Sequence, residues 1–439
     1  MNKRRLTILI STAVFMIGLS WFINWQRTPN LLRAIKNSRA VAAAAPQTAE
    51  AITTFQAKLK ENPADAVSYT ILSQLYLRQA RESGDVAMIQ RAETAVQQAL
   101  ALVPDYPFAQ LTLAAAHYAQ HNFQETLDIA QPIYASDPDN IQALILIGDA
   151  QLALGHYHEA TVAYVALSEK PSAPVMARLA HQAELNGRPE AALQLMEQAA
   201  WLAWDNGRSG EDMAWYLFRL GELHFNTGDL KTAESYYSAS LHLLDNYYLA
   251  LAALGKVTAA QGHYDEAIAY YERAIAIIPQ PDFLAALGDL YTLMGQPEKA
   301  QEQYDTVVFI GQLAAINQQV YNRQLALFYA DHDLYLAEAL ALATAELDTR
   351  QDIHGYDAAA WAYYKNGRLD EAQAMIDKAM QLGTREARLY YHAGLIAYAR
   401  SELVMAKQLL HEALTINPHF DLLQAPIARA TLADLTGNE

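Results

Sequence analysis

The chain has 439 residues, and its 31 Lys and Arg against 48 Asp and Glu give a formal net charge of −17. This acid excess excludes nucleic acid as the main partner, because binding a phosphate backbone requires clustered basic side chains. A hydrophobic content of 52% excludes a disordered chain. The absence of cysteine excludes disulfides, Cys-ligated zinc, a Cys nucleophile and the acylated Cys of a bacterial lipoprotein.

The charge is divided unevenly along the chain. Residues 1–39 contain seven basic side chains and no acid, whereas residues 40–439 contain the other 24 basic residues and all 48 acids, a charge of −24. The sequence therefore predicts a small basic N-terminal segment joined to a large acidic body.

The N-terminal segment contains a run of 20 uncharged residues, Leu6 to Trp25. As a helix this run is about 30 Å long, the thickness of the hydrocarbon core of a bilayer. We therefore expect a transmembrane anchor within residues 1–25 that contacts the membrane through residues 6–25, followed by a basic, Ala-rich stalk at 26–47. A cleaved signal peptide is the alternative, because basic residues precede the run and Ala-x-Ala sites follow it, but the apolar run exceeds the usual length of about 7–15 residues.

The basic residues next to the span predict its orientation. Lys3, Arg4 and Arg5 form a compact cluster, which favours a cytoplasmic N-terminus and an extracytoplasmic body, as in a single-pass protein of a bacterial inner membrane facing the periplasm or the exterior. The opposite orientation stays open. Residues 31–39 carry a basic side chain at every third position beside apolar ones, a pattern that suits an amphipathic helix on an anionic cytoplasmic leaflet.

The acidic body has an internal period of 34 residues. Small residues recur at this interval in three pairs of positions: Ala114 and Gly148, Gly221 and Gly255, and Ala360 and Gly394. Most are followed by a Gly after seven residues, an Ala after twelve and a large side chain four residues later. This register predicts a helix, a tight turn and an antiparallel second helix. The first small residue permits close helix packing, and the second Gly adopts the left-handed conformation that ends the first helix.

The pattern resembles the tetratricopeptide repeat, whose signature includes a Leu-Gly pair, an aromatic residue three positions on, then Ala and a second aromatic residue. Leu287-Gly288, Tyr291, Ala300 and Tyr304 match it. The resemblance implies an all-α fold, a right-handed superhelical solenoid of about ten helix-turn-helix repeats after the transmembrane helix. The helical pairs are predicted to begin near residues 66, 107, 141, 173, 214, 248, 281, 319, 353 and 387. A lone helix precedes them and a capping helix at 421–435 follows, giving two predicted arrays, 48–205 and 206–436.

In the resembling family the first helix of each pair supplies the side chains that face a peptide-binding groove. Carried onto this sequence, the predicted groove residues are Phe108, Leu111, Tyr118, Ile145, Asp149, Trp215, Phe218, Glu222, Phe225, Asp289, Trp361, Tyr364, Tyr391 and Tyr398. Aromatic residues with scattered acids suit a protein or peptide partner with apolar anchors and basic residues. The alternative for each residue is packing against the next pair. The Lys and Asn pair by which some members clamp an acidic C-terminus is not present at the matching positions.

Catalytic motifs are missing from the sequence. It contains no P-loop, no Gly-x-Ser-x-Gly and no His-Glu-x-x-His, so we expect neither an enzyme nor a cofactor. His117 and His121 lie one helical turn apart but lack further local ligands, so no metal site is expected. The sequence predicts a membrane-tethered scaffold for protein–protein interactions that assembles or localises a complex at the cell envelope. The alternatives are a periplasmic ligand-binding or enzyme-accessory protein and a cytoplasm-facing envelope-assembly adaptor.

Overall fold

The computed structural model describes residues 31–37, 48–316 and 322–437, and every regular element within them is an α-helix. The 23 helices, numbered in chain order, are α1 (Leu31–Asn37), α2 (Thr48–Glu61), α3 (Ala66–Ser83), α4 (Ala87–Leu102), α5 (Pro107–Ala119), α6 (Phe123–Ser136), α7 (Ile141–Ala153), α8 (Tyr157–Leu167), α9 (Ala173–Leu185), α10 (Pro189–Asp205), α11 (Glu211–Asn226), α12 (Leu230–Leu243), α13 (Tyr248–Ala260), α14 (Tyr264–Ile277), α15 (Pro281–Leu293), α16 (Pro297–Ile316), α17 (Asn322–Asp331), α18 (Leu336–Thr349), α19 (Ile353–Lys365), α20 (Leu369–Ala379), α21 (Ala387–Ala399), α22 (Leu403–Ile416) and α23 (Gln424–Gly437).

Helices α3 to α22 form ten consecutive hairpins, which we number units 1 to 10 from α3–α4 to α21–α22. Eight first helices begin at the predicted positions, the fifth begins at Glu211 rather than 214, and the described part of the eighth begins at Asn322. Helix α23 follows the last hairpin and packs on α22, as predicted for a capping helix. One buried cluster joins residues 173–250 across the predicted boundary at 206. The division into two arrays stays a prediction.

The small residue of the repeat is where the two helices of a unit touch. A Cβ added to Gly148 would lie 2.6 Å from the ring of Tyr164, and at Gly221 and Gly288 the added atom would be closer still to the rings of Tyr237 and Tyr304. A larger side chain at these positions would collide with the aromatic ring. Close packing between the two helices therefore explains why a small residue recurs here.

The first helices of the units lie on the inside of the array. Each contacts the second helix of its own unit, and most also contact the first helix of the next unit, as α11 does with α13 and α19 does with α21. Helices that approach one another across units are on the side with the smaller radius. The side chains of the first helices therefore converge on the interior.

The array coils so that units 1, 3, 4 and 5 each touch a loop five units later. The turn glycine of unit 1, Gly84, lies against Ile278 after unit 6, and Gly187 of unit 4 lies against Gly383 after unit 9. Gly155 and Gly228 make the equivalent approaches to Gln351 and Pro418. We call this line of contacts the seam. The turn glycines of units 6, 7 and 9 have no such neighbour within 4 Å: Gly262, Gly295 and Gly367.

Part of the predicted stalk is helical and packs on the body. Leu31 and Ile35 of α1 are buried at 5% and 0% exposure against α12 and the core of units 4 and 5. Arg33, on the other face, is exposed. These are the apolar residues of the predicted amphipathic helix, and here they pack against protein. The predicted span at residues 6–25 lies outside the described residues. Within the described ranges, no helix has both the length and the apolarity to cross a bilayer.

Candidate functional site

The coil encloses a cavity of about 630 Å³. Its walls are the first helices of units 5 to 10 (α11, α13, α15, α17, α19 and α21) together with residues 419–427 around the start of α23, and one side chain from a second helix, Tyr271. We call this space the interior cavity. Its position follows from the register, because the repeat places the first helices inside.

Aromatic side chains are prominent in the lining of the interior cavity, and we call six of them the aromatic wall. It is formed by Phe218, Phe283, Phe328, Trp361, Tyr391 and Phe420. The indole of Trp361 is 4.2 Å from the ring of His392 at 14° and 4.8 Å from that of Tyr364 at 17°, and its Nε1 donates a 2.7 Å hydrogen bond to Asp331 Oδ1. Trp361 is only 2% exposed, so these contacts hold its ring in one position.

Acidic side chains outnumber basic ones around the interior cavity. The eight acids are Glu222, Asp282, Asp289, Asp331, Asp333, Asp357, Glu386 and Asp421, and the basic residues are Lys256, Arg323, Lys365 and Arg388 together with His332, His354 and His419. Burial raises the pKa of Asp331 above its ordinary value, and Arg388 only partly opposes this effect. The cavity therefore favours a ligand that carries positive charge.

A smaller cavity of about 300 Å³ adjoins the first near the seam. Glu222, Lys256 and Arg388 line both spaces. The smaller one also contains the ion pair of Arg219 and Glu184, with Nη2 2.9 Å from Oε2. Burial alone would raise the pKa of Glu184, but the charge of Arg219 outweighs it and the pKa falls to about 2. Glu184 is therefore already neutralised within the chain.

One carboxylate position recurs in three units. Asp149, Glu222 and Asp289 each follow the conserved Gly and each accept a hydrogen bond from the tyrosine fifteen residues later, at 2.8 Å from Tyr164, 2.5 Å from Tyr237 and 2.8 Å from Tyr304. The hydroxyl fixes the direction of each carboxylate. A single register thus orients three acids in the same way.

The structure brings together part of the predicted groove. Phe218, Glu222, Asp289, Trp361 and Tyr391 line the interior cavity, although Trp361 and Tyr391 are only 2% and 1% exposed. Phe225 lines the smaller one but is 1% exposed, beneath Lys256, whose Nζ is 4.0 Å from its ring centroid.

The other predicted groove residues do not line either cavity. Leu111 is a core residue at 3% exposure between units 2 and 3, which agrees with the alternative of packing against the next unit. Tyr118 packs edge-on against Phe123, Trp215 against Tyr216, and Tyr364 lies behind Trp361. The remaining four are Ile145, which is half-buried, Asp149, which pairs with Arg178, and Phe108 and Tyr398, which are exposed.

Several lining residues escaped the sequence prediction. Phe328 and Asp331 belong to unit 8, where Asp331-His332-Asp333 replaces the turn glycine and obscures the register. Phe420 and Asp421 follow the last unit, where the repeat gives no position to count from. Among the described residues, no group of three or more His, Asp or Glu side chains is arranged to hold a metal ion.

Comparison with known proteins supports the repeat assignment. The tetratricopeptide repeat family matches residues 212–280, 258–317 and 353–382. Protein O-mannosyl-transferase TMTC1 of Homo sapiens is 24% identical over 229 residues, 48% of this chain and 24% of that protein. Protein CTR9 homolog of Arabidopsis thaliana is 25% identical over 217 residues, 47% of this chain and 20% of that protein. The chain thus spans about a quarter or less of these curated relatives.

Solved structures with similar helical arrays include yeast Tom70 and PilW, a type IV pilus biogenesis factor. Tom70 is 14% identical with a TM-score of 0.39, covering 89% of this chain and 93% of that one. PilW is 20% identical with a TM-score of 0.40, covering 48% of this chain and 92% of that one. The family matches place tetratricopeptide repeats at residues 212–317 and 353–382, within the array of ten hairpins.

Proposed function

We propose that the chain is a membrane-tethered scaffold that binds a segment of a partner protein in the interior cavity and assembles or localises a complex at the cell envelope. The observation that carries the proposal is the aromatic wall beside an excess of acids, enclosed by the first helices of six units. Aromatic surfaces supply binding energy to apolar anchors, and the acids select partners that carry basic residues. The role proposed is one of binding rather than catalysis.

Site-specific photo-crosslinking tests where the partner binds. A photoreactive phenylalanine analogue replaces Phe218 in the interior cavity or, as the matched control, Phe309, which is 57% exposed on α16 outside it. The full chain is irradiated in its native membrane and the adducts are identified by mass spectrometry. A discrete protein adduct at position 218 and none at 309 is the expected result. The same adducts at both positions, or adducts only at 309, would show that the interior is not the binding surface.

The membrane anchor and the side of the membrane are parts of the proposal that rest on the sequence. The span at residues 6–25 and the basic cluster before it support an extracytoplasmic body, and the family resemblance supports a right-handed superhelix. Protease added to intact spheroplasts tests the orientation. Digestion of the body without lysis is expected, whereas protection until lysis would place it in the cytoplasm.

A second candidate is a solute-binding or enzyme-accessory role. A volume of about 630 Å³ lies within the range of small-molecule pockets, about 300–1,000 Å³. The same acids would then hold a cationic solute. This candidate predicts that the crosslinker at position 218 yields no protein adduct and that an organic cation protects the chain against thermal unfolding.

A further inference from the structure

The three equivalent carboxylates differ in what neutralises them. Asp149 is held by the guanidinium of Arg178 in the next unit, with Nη2 2.6 Å from Oδ2 and Nε 2.9 Å from both oxygens. Asp289 is held by His332, whose Nε2 is 2.8 Å from Oδ1. Both acids therefore have a cationic partner within the chain and are not available to a ligand without breaking that pair.

Glu222 has the same tyrosine but no cation. In the described ranges, no Lys, Arg or His nitrogen lies within 4.0 Å of its carboxylate, and Tyr237 is the one group that donates to it, at Oε1. The reason can be read from the repeat. Arg178 stands two residues before the small residue of unit 4, and the matching position of unit 6 is Ala253. The cation that neutralises Asp149 has no counterpart beside Glu222.

The surroundings of Glu222 suit a cationic group. Its side chain lines both cavities, and the larger one is also lined by Phe218, one helical turn earlier, whose ring can attract a cation. Lys256 lines the same spaces, but its Nζ lies over the ring of Phe225. A carboxylate already oriented by Tyr237 needs no rearrangement to receive a cation.

We propose that Glu222 receives the Lys or Arg side chain of the bound partner and sets the position of that residue along the interior cavity. The inference rests on the proposed function, since it names the residue that reads the partner's charge. It differs from the sequence prediction, in which Asp149 and Asp289 were equal candidates. In the complex, the partner's cation neutralises Glu222 as Arg178 neutralises Asp149 within the chain.

A random library of twelve-residue peptides displayed on phage is the probe for this inference. The purified full chain in detergent selects peptides, and a synthetic copy of a selected peptide is compared with a copy in which its Lys or Arg is replaced by Gln. Fluorescence anisotropy measures the affinity of both for wild type, Glu222→Gln and Glu298→Gln. Glu298 is exposed on α16, so Glu298→Gln makes the same change of charge outside the cavity.

Wild type and Glu298→Gln are expected to bind the basic peptide at least about 10-fold more tightly than its Gln copy, and Glu222→Gln is expected to bind the two alike. The side-chain amide that Glu222→Gln introduces can still accept a hydrogen bond from Tyr237, so an unchanged circular dichroism spectrum checks the fold. Glu222→Asp, which keeps the charge, is expected to restore part of the preference.

Two other results would overturn the inference, and they are distinguishable. If Glu222→Gln keeps the full preference while Phe218→Ala weakens both peptides, the interior binds peptides but Glu222 does not read their charge. If no selected peptide is weakened by Phe218→Ala, the interior is not the peptide site, and the proposed function fails together with the inference.

Discussion

The side-chain amide of Asn417 donates a 2.8 Å hydrogen bond to the backbone carbonyl of Phe225, although 192 residues separate the two in the chain. Phe225 lies in the last turn of α11, where helix carbonyls have no partner within the helix, and its carbonyl also accepts from the backbone N–H of Gly228 in the following turn at 2.9 Å. Units 3 and 4 repeat the arrangement. The carbonyl of Ala153 accepts from the backbone N–H of Gln351 at 3.2 Å, and that of Leu185 accepts from Thr384 Oγ1 at 2.5 Å. The seam therefore satisfies the ends of first helices with donors five units away.

Replacing Asn417 by Ala is expected to lower the free energy of unfolding by about 0.5–1.5 kcal/mol, the net contribution of one hydrogen bond, because the Phe225 carbonyl keeps its bond from the backbone N–H of Gly228. Asn417 is 1% exposed, so water cannot replace its amide without opening the seam. Chemical denaturation monitored by circular dichroism measures the change. Asn186 is the control, because its amide bonds only to its own helix at an exposed site, and Asn186→Ala is expected to cost under about 0.5 kcal/mol. Equal losses would mean that the seam bond contributes nothing.

Gly187→Ala is expected to destabilise the protein more than Gly367→Ala. Both glycines have positive φ, 66° and 71°, so each substitution carries a backbone penalty of about 1 kcal/mol. The added methyl at 187 would also collide with the backbone carbonyl of Gly383, whereas at 367 it meets open space. Thermal unfolding of the two variants side by side separates the collision from the penalty they share. Equal midpoints of thermal unfolding would show that the collision with Gly383 adds nothing to the backbone penalty.

Arg81→Ala is expected to destabilise the chain more at pH 7.5 than at pH 5. Arg81 Nε of α3 lies 3.1 Å from Glu211 Oε2 at the start of α11, and the Glu211 side chain is 2% exposed. Burial raises the pKa of Glu211, and Arg81 opposes it. A raised carboxyl pKa means that stability is lost as the pH rises above the unfolded value of about 4.3, so removing Arg81 makes this loss larger. Arg368→Ala, which breaks an exposed pair with Glu371, is the control and is expected to cost under about 1 kcal/mol at both pH values.

His332 is expected to make stability fall as the pH rises from about 6 to 8. Burial alone would lower its pKa, but the hydrogen bond and charge of Asp289 raise it above the ordinary value. A histidine whose folded pKa is raised stabilises the fold fully below the unfolded value of about 6.5, and the effect disappears as the pH passes the folded value. His332→Gln should therefore flatten the profile of thermal midpoint against pH. Changing the exposed His263 to Gln should leave the slope of wild type, and a slope that survives His332→Gln would contradict the assignment.

Ile35→Ala is expected to cost about 2–4 kcal/mol, as for other large-to-small changes in a core. The side chain is fully buried between α1 and the body. Arg33→Ala, on the exposed face of the same helix, is the control and should be near neutral. Limited proteolysis adds a second readout, because detachment of α1 would expose this segment to cleavage. If Ile35→Ala resists proteolysis as well as wild type does, the contact of Ile35 does not hold α1 on the body.

The repeat register predicted the hairpins because their determinants are local. Gly288 and Tyr304 lie in one unit and meet through one turn, so sequence spacing alone locates their contact. The seam was not predicted, because the approach of Gly187 to Gly383 depends on how small rotations between units accumulate over five repeats. The difference between Glu222 and Asp149 could be recognised only from the repeat register and the structure together. The register placed the two acids, and only the structure shows which one a cation neutralises.

The sequence predicted only part of the candidate site, again because the curvature of the array cannot be read from the repeat. Phe218 and Trp361 occupy groove positions of regular units and were found by counting from the small residue. Leu111 occupies such a position too, yet it lies in the core between units 2 and 3. Phe420 lines the cavity from a segment with no repeat partner. The repeat period predicts the position of a residue on its helix, and the curvature of the array decides which residues its side chain contacts.

The seam also bears on how the chain folds. Repeat arrays with contacts only between neighbours can fold and unfold piecemeal, because each interface involves adjacent units. Here Gly84, Gly155 and Gly187 contact loops five units later, so opening one of the early turns also uncovers a late loop. Contacts of such long sequence separation slow folding, since the loop they close must be ordered first. Units 1, 3, 4 and 5 and the loops after units 6, 8, 9 and 10 are therefore expected to gain and lose their protection against amide hydrogen exchange as one cooperative block.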